Sequence, residues 1–299
     1  MNLSSYLEER RKKIDLFLDR HFHPADGSFA RLFEAVRYSL LAGGKRIRPI
    51  LVLASFEAVR SSDDPAYEAA IRVGAALEMI HTYSLVHDDL PAMDNDDLRR
   101  GRPTNHKAFG EATAILAGDV LLTEAFGVIA DSKNVPAEAL LKVIEDIAEA
   151  SGGRGMAGGQ ALDLECEGRE GEIDLPSLEN LHRHKTGCLI RVSVTSGAKI
   201  VGTSAENLSA IEQYGENIGL AFQIADDILD VEGGAEEMGK ATGGDAKKGK
   251  ATYPAILGLQ PSKELAQRLV DKAIVSLEKF DAKADPLREI ARYIVARRS

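Results

Sequence analysis

The chain has 299 residues, 44% of them hydrophobic, and a formal net charge of -10 at neutral pH. That apolar content supports a buried core, whereas the acidic balance has the wrong sign for non-specific nucleic-acid binding, which needs a basic footprint. No run in the sequence approaches the roughly 18 consecutive apolar residues of a membrane span. The N-terminus alternates charge (Glu8, Glu9, Arg10, Arg11, Lys12, Lys13) where an export signal would need an apolar core, so a cytoplasmic protein with no membrane span is expected.

Apolar residues recur at helical spacing through most of the chain and alternating strand patterns are nearly absent, which predicts an all-α fold. In chain order the predicted helices cover 2–21, 29–41, 46–60, 65–90, 106–131, 136–151, 155–166, 177–199, 204–231, 262–280 and 285–297. Ser177 and Ser204 are expected as helix caps, and Pro136 with Glu138 as a first turn. Gly43-Gly44, Gly152-Gly153 and Gly233-Gly234 mark expected ends. No Pro/Ser linker or internal repeat divides the chain, so residues 1–299 are expected to form one helical domain. Cys166 and Cys188 form neither a disulfide framework nor a zinc pattern and are read as packing residues.

Two polar segments interrupt this texture, Leu90 to His106 and Gly233 to Lys250, and each follows a cluster of aspartates. Loops of that length in a compact protein tend to be functional, which suggests ligand-ordered lids. The first cluster is Asp88-Asp89-Leu90-Pro91-Ala92-Met93-Asp94. Carboxylates at the C-terminus of a helix oppose its dipole unless a cation compensates, and Pro91 should distort the helix and swing Asp94 back toward Asp88. The second cluster is Asp226-Asp227-Ile228-Leu229-Asp230. Asp226 and Asp230 are four apart and repel on one helix face, a repulsion that a hard divalent cation removes. All-oxygen ligation favours Mg²⁺, or Mn²⁺, over zinc, and Mg²⁺ is commonly held by one or two carboxylates together with phosphate oxygens. The pair of clusters therefore predicts a phosphorylated substrate.

Cations that could hold such a substrate lie in Gly43-Gly44-Lys45-Arg46-Ile47-Arg48-Pro49, in Arg99-Arg100-Gly101-Arg102 and at Lys185-Thr186-Gly187, with Lys240 and Lys250 in the second loop. His81 lies two helical turns before Asp88 on roughly the same face.

In this order, from Gly43 to about Pro254, the motifs resemble those of the short-chain trans-prenyl diphosphate synthases. The resemblance implies antiparallel helices around a deep central cavity, usually in a homodimer. It implies that Gly44, Lys45, Arg48, His81 and Arg100 bind isopentenyl diphosphate, while Arg99, Lys185 and Lys240 contact the allylic diphosphate. Asp88, Asp94 and Asp226 would ligate three magnesium ions, with Asp89, Asp230 and Asp245 orienting metal-bound water, and Asp227, matching the second motif, is expected at the metal site with them. Thr186 and Gln223 would face the allylic cation. The implied reaction is ionisation of the allylic diphosphate, attack by the isopentenyl double bond and loss of a proton.

Tyr83 and Ser84, five and four residues before Asp88, occupy the positions that limit chain growth in the family. An aromatic at the first of these, with the long Leu90–Met93 spacing inside the motif, resembles bacterial farnesyl diphosphate synthases and favours a C15 product; a C20 geranylgeranyl product is the alternative. A terpene cyclase would not need the basic site around Lys45 and Arg48, and a non-catalytic partner subunit would not need both aspartate motifs intact. His87, Asp96, Asp97, Arg297 and Arg298 receive no role from the sequence.

Overall fold

The computed structural model describes residues 1–23, 27–169, 172–232 and 251–297. Lys240, Asp245, Lys250, Arg298 and the expected Gly233-Gly234 helix end fall outside the described residues. The fold is all-α, with one β-ribbon of two residues per strand among the described residues.

Helix α1 spans Leu3–His21, α2 Ala30–Leu40, α3 Ile47–Val59 and α4 Tyr67–Asp88. A short α5, Asn105–Phe109, precedes α6, Glu111–Ala130. Helices α7, Ala137–Ser151, and α8, Met156–Cys166, follow. Next come α9, Leu175–His182, a π turn over Arg183–Gly187, and α10, Cys188–Lys199. The remainder is α11, Ala205–Glu232, α12, Tyr253–Leu257, α13, Leu259–Ser276, and α14, Asp285–Ala296.

Three expectations need correction. The helix expected over 106–131 breaks at Gly110, whose φ of 89° ends α5 and starts α6. The helix expected over 177–199 starts at Leu175, because Asp174 rather than Ser177 caps it by accepting from Ser177 N, and the π turn divides it. The helix expected over 262–280 is shifted to Leu259–Ser276, and the preceding α12, capped by Thr252, was not anticipated. Ser204 does cap α11, accepting from Asn207 N at 3.2 Å.

Helices α3 and α10 form the centre. Every residue of α3 from Ile47 to Ala58 except Arg48 is buried, as expected of a helix apolar on all sides. Val52, Leu53 and Phe56 of α3 pack into one cluster with α1, α2, α4, α6 and α7, while Ile50, Leu51 and Ala54 pack into a second with α10, α11, α13 and α14. Helix α10 meets α3 at Gly197, where any side chain would collide with the Val52 carbonyl. Helix α6 is, by length and composition, apolar enough to cross a membrane; 39% of its most apolar window is buried, and its inner face packs along α4. Its outer face exposes Ile115 and Leu116.

Candidate active site

The end of α4 behaves as Pro91 dictates. The helix stops at Asp88, Asp89 N still reaches Leu85 O, and the chain then turns back so that Asp94 N donates to Asp88 O at 2.8 Å. Asp88 and Asp94 are thereby brought together. After this turn, β1 (Leu98–Arg99) pairs with β2 (Arg102–Pro103) across Arg100 and Gly101, both at positive φ, as a tight hairpin requires. Tyr38 of α2 pins the ribbon by donating to Pro103 O and lying under the Arg102 guanidinium.

Both aspartate clusters reach one cavity of about 540 Å³, walled by α4, α8, the π turn and α11. Asp88 and Asp226 line it, together with Arg48, His81, Lys185, Thr186 and Gln223. Leu85, Met93, Met156, Leu164 and Phe222 make much of the remaining wall apolar, and Tyr83, Ser84 and His87 complete the α4 side. Tyr83 stands against the His87 ring edge to face, one turn of α4 apart. His87 Nε2 in turn lies 3.0 Å from Ile115 O of α6.

The charges are strongly perturbed. Burial raises the Asp88 carboxyl to about 6; Lys185 opposes the rise, and Asp94 and Asp89 add to it. Burial also raises Asp226, offset by Arg297, Lys45 and Arg48. His81 is held well below its ordinary value by burial and by Arg48, Arg100, Arg99 and Arg46, so it is neutral at pH 7. Burial lowers Arg48 and Arg100, with Glu78 as the carboxylate that counters both shifts. The enclosed Arg48 Nε has no hydrogen-bond partner. A site that holds arginines beside a neutral histidine, with buried donor capacity unspent, is suited to an anion with several oxygens.

Other expected site residues lie apart from the cavity wall. Asp89 is 2% exposed and accepts a bidentate pair of bonds from Arg99 at 2.6–2.8 Å; both line a smaller neighbouring hollow with Arg100. Arg99 is thus committed to Asp89. Asp227 requires a correction: it is turned into the protein, accepting from Gln223 Nε2 at 2.9 Å and from Tyr253 N at 3.0 Å, and it does not line the cavity. It is a buried acceptor that joins α11 to α12. Thr186 Oγ1 lies 3.0 Å from Gln223 Oε1, so the chain runs Thr186–Gln223–Asp227–Tyr253. Gly44 lies against the Arg100 guanidinium, Lys45 is exposed near Asp226, and Asp230 is partly exposed.

The structure adds residues that the motifs did not indicate. Lys185 Nζ donates to Asp163 of α8 at 2.6 Å. Both amide atoms of Gln160, on the cavity wall, are enclosed without a hydrogen-bond partner. Arg297 donates to Asp226 at 2.6 Å and stacks 4.1 Å from the Phe222 ring, its side chain 5% exposed. Asp97 pairs with Lys107, and Asp96 lies 3.9 Å from Arg99.

Among the described residues, no three acidic, histidine or cysteine side chains converge on a ready metal position. Asp88 and Asp226 instead offer carboxylates from different helices to one cavity. That donor set fits magnesium, which accepts one or two carboxylates and completes its shell with phosphate oxygens and water.

The sequence matches the polyprenyl synthetase family over residues 30–292. The chain belongs to that family and is a prenyltransferase. It is 46% identical over 299 residues to a farnesyl diphosphate synthase of Geobacillus stearothermophilus, covering 99% of this chain and 98% of that protein. A geranylgeranyl diphosphate synthase of Cyanophora paradoxa is 47% identical over 297 residues, covering 99% of this chain and 97% of that one. Among solved structures, an apo FPP/GFPP synthase of Zymomonas mobilis superposes with a TM-score of 0.87 at 42% identity, covering 98% of this chain and 99% of that chain.

Proposed function

We propose that this prenyltransferase condenses isopentenyl diphosphate with dimethylallyl or geranyl diphosphate, with the C15 farnesyl diphosphate as its main product. The observation that carries the reading is the single cavity lined by Asp88 and Asp226, by Arg48, His81 and Lys185, and by an apolar wall that includes Tyr83. Identity alone does not choose between products, since the C15 and C20 relatives above differ by one percentage point. Tyr83 is the argument for C15. It lies five residues before Asp88, about 7.5 Å along the helix axis from the diphosphate end, and it stands on the cavity wall braced by His87.

In this reading Asp88, Asp94 and Asp226 would hold magnesium, with Asp89 and Asp230 orienting metal-bound water, while Asp227 acts from inside the protein by fixing Gln223. When bound, magnesium neutralises charge on the departing diphosphate and so lowers the barrier to ionisation. Lys185 leaves Asp163, and Arg99 leaves Asp89, for the allylic diphosphate, and Lys240 is assigned there by its place in the sequence alone. Gln223 and Thr186 turn oxygen atoms toward the cavity and stabilise the allylic cation, while the apolar wall keeps water away from it. Arg48, His81, Lys45, Arg100 and the Gly44 backbone hold isopentenyl diphosphate. Its double bond forms the new carbon–carbon bond, and the proton lost afterwards passes to the released diphosphate.

A homodimer is part of the reading. The exposed Ile115 and Leu116 of α6, at 44% and 52%, are apolar side chains available to a second copy. The sharing of α3 and α10 between both core clusters supports reading 1–299 as one domain. A cytoplasmic location agrees with the substrates.

The test incubates purified protein with Mg²⁺, labelled isopentenyl diphosphate and either dimethylallyl or geranyl diphosphate, then resolves the dephosphorylated alcohols. A C15 alcohol supports the reading, a dominant C20 alcohol replaces the product assignment, and no incorporation with either primer refutes the condensation.

A further inference from the structure

The turn from Gly43 to Arg48 carries three cations, and the structure sends them in different directions. Gly43 and Gly44 have φ of 83° and 137°, and Arg46 follows at 50°. A left-handed conformation is unfavourable for a residue with a Cβ, so Arg46 must be held there by its surroundings. Its guanidinium supplies the hold. Nε donates to Asp15 of α1 at 2.9 Å, Nη1 to Glu78 of α4 at 2.8 Å, and Nη2 to Leu40 O at the end of α2 at 2.7 Å. Arg46 and Glu78 are each 3% exposed, and neither lines the cavity.

The Arg46 backbone meanwhile starts α3, its carbonyl accepting from Ile50 N at 3.0 Å. Arg48, two residues on, lines the cavity. Glu78 lies three residues before His81 on α4, hence on nearly the same face. The Arg46–Glu78 pair thus ties the start of α3 to α4 at the level where Arg48 and His81 meet the cavity.

We propose that Arg46 is a positioning residue for the homoallylic diphosphate: clamped by Asp15, Glu78 and the Leu40 carbonyl, it holds the Gly43–Arg48 turn so that Arg48 stands over the cavity beside His81. The inference rests on the reading of Arg48 and His81 as the isopentenyl diphosphate site. Arg46 itself contacts no substrate.

Two substitutions test it. Arg46→Lys keeps the charge but replaces the planar fork, whose three nitrogens reach three separate acceptors, by a single nitrogen that cannot span them; Asp15→Asn weakens one bond at a partner whose side chain is 37% exposed, away from the cavity. For both, KM for each substrate, kcat and the melting temperature are measured with magnesium. The affinity for inorganic diphosphate is measured by calorimetry without metal. Arg46→Lys is expected to raise KM for isopentenyl diphosphate about tenfold or more, since small misplacements of positioning groups have effects of that order. It is expected to weaken metal-free diphosphate binding to match, with kcat and the allylic KM within about twofold. Asp15→Asn should move the same quantities by about threefold, roughly a hydrogen bond's worth, and it carries the test if Arg46→Lys does not fold. Unchanged isopentenyl KM with a lowered melting temperature would reduce Arg46 to a structural role and overturn the proposal. A fall in kcat with both KM values unchanged would do the same. If the wild-type protein does not consume isopentenyl diphosphate, the functional reading fails separately, and the ratio of metal-free diphosphate affinities still decides the role of Arg46.

Discussion

Asp88→Asn is expected to make the metal-free protein more stable while abolishing its response to magnesium. Ionising Asp88 is harder in the folded protein than in the unfolded chain because its carboxyl is raised from 3.8 to about 6. Each tenfold change in the proton equilibrium is worth about 1.4 kcal/mol, so the full penalty approaches about 3 kcal/mol. Asp88 is partly exposed, and solvent screening reduces the figure to about 1–2 kcal/mol. The folded value lies above the unfolded one, so the penalty is complete above about pH 6, shrinks as pH falls and vanishes below about 3.8. The variant should therefore melt about 2–5 °C above wild type in chelator near pH 7.5, using the usual conversion for a chain of this size. The gap should narrow by roughly half near pH 5. Adding magnesium with inorganic diphosphate should raise the wild-type melting temperature and leave the variant almost unmoved, reversing their order. Dye-monitored melting across this pH range measures all three effects. A variant no more stable than wild type in chelator, or a gap that widens as pH falls, would refute the argument that Asp88 is a strained charge awaiting a metal.

Three further outcomes are expected. Tyr83→Ala should shift the main product from C15 to C20 or longer, read by chromatography of the dephosphorylated alcohols; unchanged C15 output would remove Tyr83 as the limit on growth. Asp227→Asn should lower kcat about tenfold, about the effect of one weakened buried hydrogen bond, while the magnesium dependence of the rate stays within about twofold. A large rise in the magnesium requirement would make Asp227 a ligand instead. Gly197→Ala should destabilise the fold by about 3 kcal/mol or more in urea denaturation, because the new methyl collides with the Val52 carbonyl and α3 and α10 must separate; a loss below about 1 kcal/mol would show that this crossing relaxes easily.

What the sequence disclosed depended on how local each signal is. Asp88, Asp94, Asp226 and Arg48 stand in short runs whose composition is abnormal for a helix surface, so they were legible without knowing the fold. The helices were legible as apolar periods, but their interruptions were not: the apolar period resumes directly after Gly110, and the π turn leaves the composition of 177–199 unchanged. Partners distant in sequence left no trace. Arg297 reaches Asp226 across 71 positions, Arg46 reaches Glu78 across 32 and Lys185 reaches Asp163 across 22. In each case an ordinary charged residue acquires its meaning from where two helices cross. Asp227 misled for the opposite reason: adjacent aspartates look alike in a motif, yet on a helix they point about 100° apart, so one meets the cavity and the other the backbone of Tyr253.

The contact between Arg297 and Asp226 has a practical side for anyone handling the protein. The Asp226 carboxylate of the second motif is paired with a side chain one residue beyond the end of α14. Any change that removes or displaces Arg297 takes away the cation that faces that carboxylate. Preparations that differ at Arg297 differ in the charge around Asp226, and their magnesium requirements are comparable only when that side chain is intact.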